Sequence, residues 1–481
     1  MQSIPTLHQA KPPTVLAEDV GQNSGPGRLL LGVFETLDRA RIPYCVLHGY
    51  ESYPQRIKSD VDCMISAEVH PGQLIALLHE NSTRIGAEVV RSRGYHLLLA
   101  GKNVDGSPCF LDLDLSVDYE VDDRPFYAGS EVIGSRRRHQ QFWIPAANLE
   151  FGCYLVRKIA KGCLDNGQAG RLSSLYQQDA AGCRPHVARF WGAGSTALIL
   201  SAASSGNWEL VRHRLDKLRA ELLRRATLRS PWRVVSNWLN GVAGKIRRCC
   251  WPDGGLNLVF LGPDGAGKSS VIHAVGQELA GAFARTTCYG FAPALLHRLR
   301  PHTPTGRPHG LPPRSFLTSV LRAVFYWFAY YTFGYYVTVH LALARNTLVL
   351  HDRHFVDALV DPWRYRYGGP LWLLRLIWRL VPKPDLVILL DAPPGVLQAR
   401  KQEVPFDETA RQREAYLSLM GTIRNGHVVD AARPLEMVVG DVNDIILGYL
   451  ATRIARRFGL AQNSLYRRGP LMFSRVRSEP P

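Results

Sequence analysis

The residues best suited to chemistry stand together at Gly262, Pro263, Asp264, Gly265, Ala266, Gly267, Lys268, Ser269 and Ser270. Glycines at this spacing let the main chain turn so that successive N–H groups converge on one point. A following lysine and hydroxyl are the pair that grips a polyphosphate and a divalent cation. Lys268 supplies a mobile positive charge for the outer phosphates, and the Ser269 hydroxyl is a ligand for Mg²⁺. A second group, Asp352-Arg353-His354, pairs a carboxylate with a guanidinium. A third joins Asp60 and Asp62 to Asp112 and Asp114, and three converging carboxylates suit two divalent cations.

These groups act only if secondary structure holds them. The apolar run 256–261 predicts a strand that feeds the Gly-rich loop, and an amphipathic helix starts at about Lys268. The helix N-terminus adds partial positive charge where phosphate would lie. Apolar strands are also predicted at 346–352 and 384–392, so buried strands alternate with helices over 251–460. That alternation predicts an α/β domain with a doubly wound parallel sheet, whose strand carboxyl ends gather ligand groups; Asp352 sits at such an end. Residues 28–145 read as a smaller α/β domain, with the Asp60 and Asp62 side chains on one face of an alternating strand. Residues 146–250 read as a helical connecting domain. The composition of 1–27 and 461–481, rich in Pro, Ser, Gly and Arg, predicts disordered tails.

The loop sequence resembles that of thymidylate kinase-like P-loop kinases, and so do Asp352-Arg353-His354 after an apolar strand and the run from Pro384 to Pro394. The resemblance implies ATP and Mg²⁺ as cofactors, with Lys268, Asp352, Arg353 and Arg400 as catalytic residues. Asp352 would join Ser269 at the metal, Arg353 would contact an acceptor phosphate, and Arg400 would belong to a mobile lid with Lys401, Arg411 and Arg413. Each lid cation also has a plainer reading, a surface ion pair with Glu403, Asp407, Glu408 or Glu414. The stretch after His354 departs from that family, bringing Asp357, Asp361, Arg364 and Arg366, and a long aromatic segment precedes the motif. The arrangement is similar to thymidylate kinase-like proteins found with bacterial surface-polysaccharide biosynthesis. It implies a small phosphorylated acceptor: a nucleoside monophosphate, or a sugar or glycolipid precursor. An ATP-gated conformational switch is the alternative.

Residues 28–145 resemble the nucleotidyltransferase superfamily through His48-Gly49 and the Asp60-x-Asp62 pair, which implies Asp60, Asp62 and Asp112 as metal ligands. Tyr50 stands where that superfamily has a small residue, so both a working transferase and a degenerate binding domain stay open.

The chain has 481 residues and a net charge of +17, which points to anionic partners. Cations crowd 212–248, where a solvated helix face and attraction to a membrane surface or polyanion are both compatible with the pattern. Nucleic acid ranks last, because these cations lack an interleaved set of stacking aromatics. The nine cysteines form no CxxC pair and the N-terminus has no apolar leader, which predicts a reduced, cytoplasmic setting. The uncharged aromatic run 323–339 is short for a membrane span and predicts a buried or groove-lining helix. Residues 371–381 predict an amphipathic helix whose Trp372, Trp378, Arg375 and Arg379 would also suit the inner face of a membrane. Oligomeric state is not legible.

Overall fold

The computed structural model describes residues 25–290, 311–461 and 465–466. Most of the two segments expected as tails lies outside the described residues. Where they are described, the expectation is corrected. Residues 25–27 open the Gly25–Arg39 helix, and Tyr466 is buried in the core of the C-terminal half.

The N-terminal sheet has five strands: β1 (Tyr44–Val46), β2 (Val61–Ile65), β3 (Ala87–Arg93), β4 (His96–Lys102) and β5 (Pro108–Ser116), in the order β1-β2-β5-β4-β3. β2 and β5 run parallel, with Asp62 opposite Asp114, and the other pairings are antiparallel. Strict alternation in β5 buries Cys109, Leu111, Leu113 and Leu115 and leaves Asp112 and Asp114 on the opposite face. Two hairpins follow, β6 (Tyr119–Val121) with β7 (Arg124–Tyr127) and β8 (Arg137–His139) with β9 (Phe142–Ile144). The helices between Ala147 and Arg229 share one core with Cys45, Met64, Tyr119 and Tyr127, so the helical region continues the N-terminal unit.

The C-terminal sheet contains β10 (Leu256–Leu261), β11 (Arg285–Tyr289), β12 (Thr347–Asp352), β13 (Leu386–Asp391) and β14 (Gly426–Asp430). All pairings are parallel, in the order β11-β12-β10-β13-β14. β10 lies centrally and is buried along its whole length because helices cover both faces. Its Leu256, Leu258 and Phe260 enter one core with the helices Lys268–Glu278 and Leu435–Arg457. Val259 and Leu261 enter another with the Phe406–Met420 helix.

The two halves are packed together. Val89, Leu97 and Leu99 face the N-terminal core, whereas the alternate residues Val90, Leu98 and Ala100 belong to the C-terminal one. A side chain of leucine size buried at such a junction contributes roughly 1.5–3 kcal/mol. Polar ties reinforce it: Arg91 donates to the Ala282 carbonyl at 2.6 Å, and Lys102 pairs with Asp444 at 2.6 Å.

The aromatic segment is helical and only partly buried. The Phe316–Tyr326 helix runs into π-helical turns at Trp327–Phe333 and Tyr335–His340; Tyr331 and Val339 are buried, while Phe325, Phe328 and Phe333 are exposed. Among the described residues no helix is long and apolar enough to cross a membrane.

Candidate active site

Between β10 and the Lys268–Glu278 helix the chain turns through three residues of positive φ, Gly262 (145°), Gly265 (88°) and Gly267 (82°). A Cβ at Gly262 would lie 2.6 Å from the Leu390 carbonyl oxygen, and one at Gly265 would lie 2.5 Å from that of Leu397. Both positions therefore need glycine for space as well as for conformation. Lys268 is buried, and its Nζ donates to the carbonyls of Gly262 (2.7 Å) and Pro263 (3.0 Å), so the ammonium lies curled inside the loop. Burial and the neighbouring Arg353 charge push this ammonium below the usual lysine range, against the pull of Asp264 and Asp352. Ala266 is buried beneath the loop, and Ser269 and Ser270 are exposed at its mouth.

The register of β10 with β12 sets Phe260 opposite Asp352, which brings two distant stretches of chain to the same sheet end. The Ser269 hydroxyl donates to Asp352 Oδ2 at 3.1 Å. Asp352 Oδ1 is buried with no hydrogen-bond partner among the described residues. A hydroxyl beside a carboxylate oxygen that lacks a partner is an oxygen donor set of the kind Mg²⁺ takes with phosphates, so the residues fit that ion.

Arg353 has φ of 92°, a sparsely populated conformation for a non-glycine residue that costs on the order of 1–3 kcal/mol. The bend turns its guanidinium onto Asp264 at 2.8 Å, and Arg364 pairs with the other oxygen of the same carboxylate. Asp264, expected to contact nucleotide, is instead engaged by these two arginines. Burial opposes its ionisation, yet the charges of Arg353, Lys268 and Arg364 hold it far below the usual carboxylate range. Arg364 also reaches Glu403 at 3.3 Å.

Behind the arginines Asp357 is buried and accepts from the Tyr416 hydroxyl and the His354 N–H, each at 2.6 Å. Asp361 accepts from the Arg364 N–H (3.0 Å) and from Gln412 (3.1 Å). Together with the loop these groups line a pocket of about 230 Å³.

Of the candidate lid cations, Lys401 reaches the loop cluster through Glu403, which also pairs with Arg364. Arg400 donates to the Ala431 carbonyl at 2.8 Å, beyond the end of β14, so it does not join the cations at the loop. Arg413 makes a two-point pair with Asp391 (2.7 Å each), Arg411 pairs with Glu408 (2.6 Å), and Lys401 pairs with Glu403 (2.5 Å). The cation that does join Arg353 is Arg364. It was visible in the sequence as an unusual residue after the Asp-Arg-His motif, but no spacing rule tied it to Asp264.

The N-terminal carboxylates are partly corrected as well. Ligand atoms of Asp60, Asp62 and Asp114 lie within 4.8 Å of one another. Asp112, the expected third ligand, faces Arg91 (3.5 Å) and His96 (3.3 Å) instead. The parallel register sets Asp114, not Asp112, beside Asp62. Burial works against Asp62, but His48 and Arg157, each at 3.0 Å, hold its carboxyl below the usual range. Asp114 is pushed up by burial and by Asp62 and Asp60, despite His96. The Tyr50 hydroxyl is committed to Glu150 (2.7 Å), and Arg171 joins both groups.

In comparisons with known proteins, the chain is 27% identical over 215 residues to the thymidylate kinase of Xanthomonas campestris pv. campestris, spanning 42% of this chain and 87% of that protein. The thymidylate kinase of Xanthomonas oryzae pv. oryzae is 30% identical over 120 residues, spanning 24% of this chain and 52% of that protein. Among solved structures, the thymidylate kinase of Ehrlichia chaffeensis is similar at 17% identity and a TM-score of 0.30, covering 40% of this chain and 99% of that one. No family model matches the chain. Part of the chain is thus homologous to thymidylate kinases at low identity.

Proposed function

We propose that this protein is a phosphotransferase that moves the γ-phosphoryl group of ATP, with Mg²⁺, to a small phosphorylated acceptor. The observation that carries this reading is the convergence of the Lys268 loop, the Ser269–Asp352 contact and the Arg353–Asp264–Arg364 cluster at the carboxyl end of one parallel sheet. The main-chain N–H groups of Gly265 to Ser269 and the Lys268 ammonium hold the triphosphate, with Ser269 and Asp352 as ligands of the ion. Bound Mg²⁺ supplies neutralisation of charge on the phosphate oxygens. Arg353 and Arg364 orient the acceptor phosphate and screen it from the phosphoryl group that approaches.

An acceptor phosphate loses its second proton near pH 6, so its attacking oxygen needs no general base at neutral pH. The new bond forms between that oxygen and the γ-phosphorus, the β–γ bridge breaks, and ADP departs. The carboxylates of the pocket, Asp264, Asp357 and Asp361, are each engaged by donors rather than poised as a base, which agrees with that chemistry. The acceptor would be a nucleoside monophosphate, or a sugar phosphate or glycolipid precursor of surface-polysaccharide assembly.

The test is transfer of labelled γ-phosphate across nucleoside monophosphates, sugar phosphates and a lipid-linked sugar phosphate. ADP release should rise by at least about tenfold with one acceptor class. ATP binding with no acceptor-dependent release in any arm would replace the kinase with a nucleotide-gated switch.

For the N-terminal half the favoured reading is a divalent-cation site of the nucleotidyltransferase kind, and the observation behind it is the convergence of Asp60, Asp62 and Asp114. The double variant Asp60→Asn/Asp62→Asn should lose Mn²⁺ binding there and leave phosphotransfer within about twofold, since distant sites act additively. A parallel loss of phosphotransfer in a folded variant would mean that the two halves share one site.

A further inference from the structure

We infer that the helix Pro231–Cys250, with the aromatic helices beside it, docks this protein on the face of an anionic lipid bilayer. The helix is amphipathic, yet its apolar side faces away from the protein. None of its residues is buried. Its polar side makes the contacts: Asn237 donates to Glu120 (3.0 Å) and to the Asp123 carbonyl (3.2 Å), and Arg233 pairs with Asp118 (2.6 Å). Trp232, Val235, Leu239 and Ile246, spaced three, four and seven apart, therefore form an outward stripe together with Trp238. Trp232 is 84% exposed, Trp238 58% and Ile246 60%. A helix that buried its stripe against its own domain would show the reverse.

The surface continues beyond this helix. His340 Nε2 meets the Cys249 carbonyl at 2.7 Å, which ties the end of the helix to the π-helical segment. That segment extends the Phe316–Tyr326 helix, where Leu317, Leu321, Phe325 and Phe328 are each more than half exposed. The Leu371–Leu380 helix packs on it through Leu374 and Ile377 and leaves Trp372, Arg375, Arg379 and Leu380 exposed.

Charge identifies the occupant. Between Glu221 and Asp253 the chain carries seven cations and no acid; Arg233 is held by Asp118 and Arg225 by Glu221, which leaves Lys245, Arg247 and Arg248 on the helix itself, and residues 311–351 also lack an acid. Trp and Leu flanked by Lys and Arg match the boundary between acyl chains and anionic headgroups, where basic side chains extend toward phosphate. A second copy placed on the same face would set these cations against one another across a two-fold contact.

The 481-residue protein is mixed with vesicles of phosphatidylcholine alone, or of phosphatidylcholine with phosphatidylglycerol, and floated through a density gradient. It should float with the anionic vesicles, at least about tenfold more than with neutral ones, and less as salt is raised. The variant Trp232→Ala/Trp238→Ala/Ile246→Ser should float at least about tenfold less while ATP turnover stays unchanged. Recovery in the soluble fraction with every vesicle overturns the inference, as does equal flotation of the variant. Sedimentation that reveals a dimer dissociated by the same substitutions also overturns it, because the stripe would then belong to a second copy.

Discussion

Lys268→Ala is expected to lower acceptor-dependent ADP release by about 10³-fold or more, with the far-ultraviolet circular dichroism spectrum unchanged. A positioned donor at the site of transition-state charge is worth about 10²–10³ in rate, and a cation aimed at a transferring phosphoryl group is worth more. In this structure the Lys268 ammonium is buried and already lies within the loop, bonded to two loop carbonyls. Phosphate oxygens would replace those carbonyls with little movement of the lysine stem. The fold should tolerate the change, because the variant removes a buried charge whose burial is itself unfavourable. Turnover kept within tenfold in a folded variant would sink the assignment of the loop to catalysis.

Substituting Arg353 by lysine should lower kcat/KM for the acceptor by about 100-fold or more and leave KM for ATP within about threefold. Lysine keeps the charge but not the planar fork that can hold a phosphate while still pairing with Asp264. The strained backbone at Arg353 serves to aim that fork, and strain of this kind persists where the surrounding structure over-determines it. Initial rates measured against acceptor and ATP in turn separate the two effects. An unchanged acceptor KM and kcat would show that Arg353 only stabilises Asp264.

The interpretation of the two halves differs in kind. The C-terminal site joins a loop, a strand end and two arginines, each of which has a task in the proposed transfer. The N-terminal cluster is already partly neutralised by Arg157 at Asp62, which weakens its pull on a cation. The buried junction through Val90, Leu98 and Ala100 gives the two a common frame.

Local chemistry was readable from residue order alone. The Gly262–Ser269 turn, the strand before it and the helix after it are encoded within a few residues of one another, so glycine placement and apolar run length suffice to find them. Alternation along β5 likewise put Asp112 and Asp114 on one face. Which of that pair meets Asp62 depended on a pairing register between strands some fifty residues apart. Partner choice among arginines was similarly out of reach. Arg364 found Asp264, Arg413 found Asp391 and Arg400 found a main-chain carbonyl, because a long flexible side chain accepts whichever acceptor the packing brings near. The outward turn of the apolar side of 231–250 was out of reach as well, since it follows from Asn237 and Arg233 meeting acids on another segment. Short-range sterics are written into neighbouring residues, whereas contacts between distant segments exist only after the chain has closed on itself.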